Sequence, residues 1–70
     1  MEYEMSWDFH NRHKSLYDHL VVVTMKNGEI VEGSYCDDFF EDESIMVGCN
    51  IIKIVDIEKM ILSPKDSVIV

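Results

Sequence analysis

The chain has 70 residues, of which 14 are acidic and 6 are basic, so its formal net charge is −8, and 47% of its residues are hydrophobic. This length allows one domain at most, and the apolar content is too high for an intrinsically disordered chain. The excess of acids argues against binding to nucleic acid or to anionic membranes, which requires Lys and Arg, and favours a basic protein partner or, more simply, solubility.

The N-terminal part predicts one helix over residues 6–19, after a loose or edge-pairing start at residues 1–5. The helical pattern consists of Trp7, Phe9 or His10, His13 or Lys14, and Tyr17, which fall about one turn apart. Ser6 is placed to cap the helix, and Ser15 with Asp18 forms a second start signal, so a break near Ser15 is an alternative. We expect the aromatic side chains to cover the core first and to form an interface second.

A β-hairpin follows the helix. Leu20–Lys26 and Glu29–Cys36 are rich in apolar and β-branched residues and predict strands one and two. Asn27-Gly28 between them is the preferred centre of a two-residue turn, because both residues tolerate positive φ. Gly33 inside the second strand predicts a sharp bend or a bulge.

Residues 37–43, called the acidic segment below, contain five acids and two phenylalanines. Such a run of like charges disfavours strand pairing and predicts a loop. The two aromatic rings cannot both pack easily within a loop. We therefore expect one ring to enter the core and the other to anchor a partner, with both rings capping the core as the alternative.

The remaining residues predict three short strands and a tail. The strands are Ser44–Gly48, Ile51–Val55 and Lys59–Leu62, with a turn at Cys49-Asn50 and a 3₁₀ turn at Asp56–Glu58. Ser63-Pro64 ends the last strand, and Val68–Val70 in the tail is available to pair on a sheet edge. The predicted architecture is a single mainly β domain over residues 1–70, with a helix (6–19), a small five-stranded barrel (20–62) and a tail (63–70).

The motif Val21–Gly28, followed by Gly33, resembles the first half of the Sm-like fold, a small SH3-like barrel, and the resemblance covers about residues 15–62. Sm-like proteins form rings through edge strands four and five, and many bind RNA. The family's Asp and Asn fall near Phe39 and Glu43, and its Arg-Gly or Lys-Gly falls on Val47-Gly48. Asp38 is one position off, and the Asn and the cation are absent, so no RNA-binding residue is carried over.

The layout also resembles small acidic bacterial inhibitors of the transcription terminator Rho, which are similar to Sm barrels with an N-terminal helix. The matching residues are Asp18-His19-Leu20, Lys26-Asn27-Gly28-Glu29 and Ile54–Lys59. This resemblance implies binding to a nucleic-acid-handling protein by covering its basic site.

The sequence gives weaker support to a metal site, to catalysis or to a basic binding site. The acidic segment lacks the Asp-x-Asp-x-Asp-Gly spacing of a calcium loop, and a solvated run of carboxylates does not make an acid–base pair. His10 and His13 share a helical face but lack a third metal ligand, and the basic cluster His10–Lys14 is typical of a solvated face. Cys36 and Cys49 are expected to be buried free thiols in a reducing cytoplasm, a disulfide being the alternative.

These observations predict a small acidic protein-interaction module that is not an enzyme and needs no cofactor or metal. It is expected to lack a signal peptide and a membrane span. The predicted contact residues are Asp37, Asp38, Phe39, Phe40, Glu41, Asp42 and Glu43, which would bind or inhibit a basic, nucleic-acid-handling protein, with Phe39 or Phe40 as the anchor. The alternatives are an Sm-like ring protein that binds RNA and a structural homo-oligomer whose strand edges pair between copies.

Overall fold

A computed structural model describes residues 3–66 as one helix and one antiparallel five-stranded sheet. The elements are α1 (Glu4–His13), β1 (Leu20–Met25), β2 (Ile30–Phe39), β3 (Ser44–Val47), β4 (Asn50–Lys53) and β5 (Ile57–Leu62), with 3₁₀ turns at Lys14–Leu16 and Ile54–Asp56. The strand order in the sheet is β4-β3-β2-β1-β5. The prediction of a mainly β chain with an N-terminal helix is confirmed.

The helix differs from its predicted bounds at both ends. It begins at Glu4, with Tyr3 as the N-cap, so the prediction that Ser6 caps it is wrong. Ser6 lies inside the first turns of the helix and is buried. Its hydroxyl does not cap the helix, because it donates a hydrogen bond to the Phe40 carbonyl oxygen. The helix ends at His13 and a 3₁₀ turn continues it, so the break near Ser15 replaces the continuous helix over 6–19.

The β1–β2 hairpin closes with three loop residues, Lys26–Gly28, rather than the predicted two. Met25 N–H donates to the Glu29 carbonyl oxygen at 2.8 Å, so Lys26 belongs to the loop. Only Gly28 in this loop has a positive φ, of 93°, and a glycine at the end of a three-residue loop is a recognised alternative to the two-residue turn.

Strand β2 changes partner halfway along its length. Its first half, up to Ser34, pairs with β1, and its second half, from Tyr35, pairs with β3. The β2–β3 pairing contains one register shift, between Tyr35 and Asp37. Gly33 lies at this change, where a Cβ would come within 2.9 Å of the backbone nitrogen of Gly48. The backbones of β2 and of the β3–β4 turn can approach this closely only because position 33 has no side chain.

Several local predictions are corrected by this pairing. Asp37, Asp38 and Phe39 belong to β2 and not to a loop, because β3 supplies their backbone partners. The 3₁₀ turn is Ile54–Asp56 rather than Asp56–Glu58, and Asn50 begins β4 instead of ending the preceding turn. The cysteines are free, but Cys49 is exposed, so its predicted burial is wrong.

The core is built from residues of all five strands and the second 3₁₀ turn, and Phe9 from α1 contributes to it. Its members are Phe9, Val21, Val23, Tyr35, Ile45, Val47, Ile52, Ile54, Ile57 and Met60. Beyond β5, Asp66 accepts a hydrogen bond from Leu20 N–H at 2.8 Å and holds the following turn against β1. The predicted edge pairing of Val68–Val70 lies outside the described residues. Among residues 3–66, no helix is long and apolar enough to cross a membrane.

We expect Gly33→Ala to lower the free energy of unfolding by about 1–3 kcal/mol, the usual range for overpacking a tightly filled site. The added methyl group would meet the backbone of Gly48, which cannot move aside as a flexible side chain can. Urea unfolding measures the change. Ser34→Ala, one residue along the same strand, adds no atoms and is the control. Equal stability of the two variants would contradict the tight approach.

Candidate protein-interaction surface

The acidic segment forms the end of β2 and the turn that leads into β3. The turn covers Phe40–Glu43 and is closed by a hydrogen bond from Glu43 N–H to the Phe40 carbonyl oxygen at 3.1 Å. Glu43 adopts a positive φ of 50°, and its carbonyl oxygen accepts from Ile54 N–H at 3.0 Å. The segment is therefore an ordered corner tied to two other parts of the chain, and not a free loop.

One of the five carboxylates points inward. Asp38 accepts a hydrogen bond from the hydroxyl of Tyr35, which is fully buried, and its other oxygen lies 3.2 Å from Nδ1 of His10. The Asp38 side chain is only 11% exposed. Burial raises the pKa of Tyr35 well above its ordinary value, and the hydrogen bond and charge of Asp38 raise it further, so the hydroxyl remains a donor. Asp38 joins β2 to α1, and its charge is directed away from an external partner.

The two phenylalanines have different surroundings. Phe39 lies on β2 opposite Ser44 of β3 and is half-buried. Phe40 is also half-buried, and its ring packs against Trp7 of α1, with 4.6 Å between the ring centroids, and against His10 at 5.7 Å. The hydroxyl of Ser6 donates to the Phe40 carbonyl oxygen at 3.2 Å. Phe40 therefore fixes the helix to the corner and offers only part of its ring to solvent.

The other four carboxylates of the acidic segment have no ionic partner within the part of the chain that the structure describes. They belong to Asp37, Glu41, Asp42 and Glu43. Residues 3–66 contain two ion pairs, Arg12–Asp8 and Lys65–Glu32, and two histidine–carboxylate contacts, His10–Asp38 and His19–Asp66. Lys53 reaches the corner, but its amino group donates to the carbonyl oxygen of Asp42 at 3.1 Å. The corner thus keeps an excess of negative charge, which the single ammonium group of Lys53 offsets only in part.

The histidines and the basic cluster of α1 serve the fold of this chain. Nδ1 of His13 lies 2.9 Å from the Phe9 carbonyl oxygen and its ring stacks on Phe9, whereas His10 faces Asp38. Arg12 pairs with Asp8 one turn earlier in the helix. Within residues 3–66, no group of three or more His, Cys, Asp or Glu side chains is arranged to hold a metal ion.

Sequence reasoning identified the acidic segment but not the helix residues that join it. Trp7, Ser6 and His10 lie on adjacent parts of the helix surface, and their contacts with Phe40 and Asp38 bridge about 30 positions of sequence, namely 34 for Ser6–Phe40 and 28 for His10–Asp38. The sequence carried no local signal for these contacts, because Ser6 matched the pattern of an N-cap residue. Its burial, which requires a hydrogen-bond partner for the hydroxyl, is seen only in the fold.

Comparisons with protein-family models, with curated proteins and with solved structures return no match for this chain. The interpretation of the surface therefore rests on its own geometry and charge.

We expect Tyr35→Phe to lose about 1–2 kcal/mol at neutral pH, because it removes a buried hydrogen bond to a carboxylate. The substitution should also reduce the fall in the free energy of unfolding at alkaline pH. In the unfolded chain Tyr35 loses its proton above its ordinary pKa of 10.0, while the folded protein retains the proton because the pKa is raised. The folded state then binds more protons, so stability falls by about 1.4 kcal/mol per pH unit above pH 10.

Urea unfolding at pH 7 to 11 measures both effects. Tyr3→Phe, at an exposed position of the N-cap, is the control and should keep the alkaline decline. Both variants should still lose some stability at alkaline pH, because partial burial and the nearby Asp37 also raise the pKa of Tyr17. A Tyr35→Phe profile parallel to that of the wild type would contradict the assigned role of the hydroxyl.

Proposed function

We propose that this chain is a small acidic protein-interaction module. Its acidic corner binds a basic surface of a nucleic-acid-handling protein and inhibits that protein by competing with nucleic acid. The observation that carries the proposal is the set of four carboxylates at the corner, for which residues 3–66 provide no ionic partner. Uncompensated charge of one sign attracts and orients a partner of the opposite sign.

The ordered backbone of the corner supports binding at this site. The corner is fixed by hydrogen bonds on both sides, so a partner would not have to order a flexible loop, and less conformational entropy would be lost on binding.

We also propose that the fold is a small SH3-like or Sm-like barrel. The strand order and the partner change of β2 at Gly33 support it. The module is non-enzymatic and cytoplasmic in this proposal, and its free thiols are compatible with a reducing compartment.

Neutralising the corner tests the proposed function. The test variant replaces Asp37 and Asp42 by Asn and Glu41 and Glu43 by Gln, while Asp38 is kept because it supports the fold. We expect affinity for the basic partner to fall about tenfold or more, since exposed ion pairs contribute about 0.2–1 kcal/mol each. The measurement is retention of host-lysate proteins on the immobilised chain at low and high salt, followed by titration of the protein captured.

The matched control removes the same four charges elsewhere, with Asn at Asp18 and Asp56 and Gln at Glu29 and Glu58. These acids are exposed and lie outside the acidic segment. The control should bind as the wild type does, apart from a modest loss of long-range attraction. Equal loss in the two variants would show that net charge matters and the corner does not. Unchanged binding by the test variant would remove the proposed function.

A homo-oligomer is the second candidate, and one observation favours it. Strands β4 and β5 are the two ends of the sheet order, so each has one edge without a strand partner among residues 3–66. Ile51 on β4 and Ile61 on β5 are at least half exposed, at 64% and 50%. Exposed strand edges with apolar side chains are sites at which copies of a chain can pair.

We expect Ile51→Lys combined with Ile61→Lys to abolish such assembly. Light scattering over a wide concentration range would show a mass that grows with concentration for the wild type and stays at one chain for the double variant. Because the substitution brings the net charge closer to zero, added repulsion cannot explain the loss of assembly. A wild-type mass of 8.2 kDa at every concentration would exclude this candidate.

A further inference from the structure

We propose that Trp7, supported by Phe40, forms the apolar half of the binding surface and receives the guanidinium group of an arginine on the basic partner. This inference rests on the proposed function and names the chemistry that its site recognises. Trp7 is not part of the acidic segment; α1 brings it there.

The Trp7 side chain is exposed enough to contact a ligand. Its side chain is 47% exposed although its ring packs on Phe40. Nearly half of its surface therefore remains available to a ligand, although Phe40 and, with 6.3 Å between the ring centroids, His10 pack against the ring. Phe40 cannot take this role alone, because Trp7 and His10 already cover part of its ring.

The platform is held in place before any partner arrives. The Ser6 hydroxyl contacts the Phe40 carbonyl oxygen one position before Trp7 in the helix, and His10 contacts Asp38 one turn after it. Both contacts join α1 to the corner. The helix segment that carries Trp7 is consequently held at the corner before a ligand binds.

The charges around the platform select the ligand. Glu41 follows Phe40 directly, and Glu4 lies one helical turn before Trp7, where side chains are neighbours on a helix surface. Neither carboxylate has an ionic partner within residues 3–66. An aromatic face beside free carboxylates fits a flat cation that can stack and donate hydrogen bonds at its edge. The arginine guanidinium has this shape, whereas the lysine ammonium is compact and strongly hydrated.

The opposite orientation of Phe39 makes the inference specific. Phe39 pairs with Ser44 and is one residue from Asp38, whose side chain points inward, so the two neighbouring side chains lie on opposite faces of β2. Phe39 is therefore separated from the Trp7 platform, although it belongs to the same segment. It provides a matched control for the loss of an aromatic ring.

The experiment compares fluorescein-labelled octa-arginine and octa-lysine, which carry equal charge, by fluorescence anisotropy at moderate salt. We expect the wild type to prefer octa-arginine and Trp7→Leu to lose roughly three- to tenfold in octa-arginine affinity, in the range of cation–π contacts, with little change for octa-lysine. Trp7→Phe should retain part of the preference. Phe39→Leu should retain all of it. Circular dichroism confirms that each variant is folded.

The outcomes separate this inference from the proposed function. Trp7→Leu with an intact arginine preference overturns the inference, and so does a wild type without any preference. The variant neutralised at Asp37, Glu41, Asp42 and Glu43 should lose affinity for both peptides. If it does so while Trp7→Leu has no effect, only the inference fails. If it binds both peptides as the wild type does, the acidic corner is not the binding site and both proposals fail.

Discussion

The contact between the backbones of Gly33 and Gly48 is the constraint on which the rest of the structure depends. A Cβ at position 33 would overlap the Gly48 nitrogen, and Gly48 N–H donates to the Ser34 carbonyl oxygen at 2.8 Å at the same place. The β3–β4 hairpin can therefore fold closely against β2, and β2 can leave β1 and pair with β3. That change of partner turns Tyr35 into the core and carries Asp38 to the helix.

The junction of helix and corner follows from this bend. A carboxylate that is nearly removed from water is costly unless its oxygens are satisfied, and Tyr35 and His10 satisfy those of Asp38. The acidic segment thus contains two kinds of charge. One carboxylate attaches α1 to the sheet, and four carboxylates remain without ionic partners within residues 3–66. In the proposed function, folding and recognition use different members of the same short run of acids.

The parts of the fold that local pattern determines were predictable, and the parts that depend on distant pairing were not. The apolar residues of β1 and the Asn27-Gly28 turn predicted the first hairpin, although the loop contains Lys26 as well. The acids at positions 37 and 38 argued for a loop, yet β3 pairs with them, because backbone pairing with a distant strand outweighs an unfavourable local composition. Likewise, the sequence indicated the charged half of the candidate surface. Its aromatic half required knowing that α1 packs across it.

In the proposed function, recognition at this surface is coupled to the stability of the helix contact. The exposed face of Trp7 lies beside the carboxylates only while α1 is docked, and Ser6 and His10 hold α1 on either side of Trp7. A weakened His10–Asp38 contact would lower the fraction of molecules in the binding-competent arrangement, and the apparent affinity would fall by that fraction. Residues that never touch a partner would then tune its binding. In the proposed function, the inward carboxylate of Asp38 thus acts on binding through the position of α1 and not through contact with the partner.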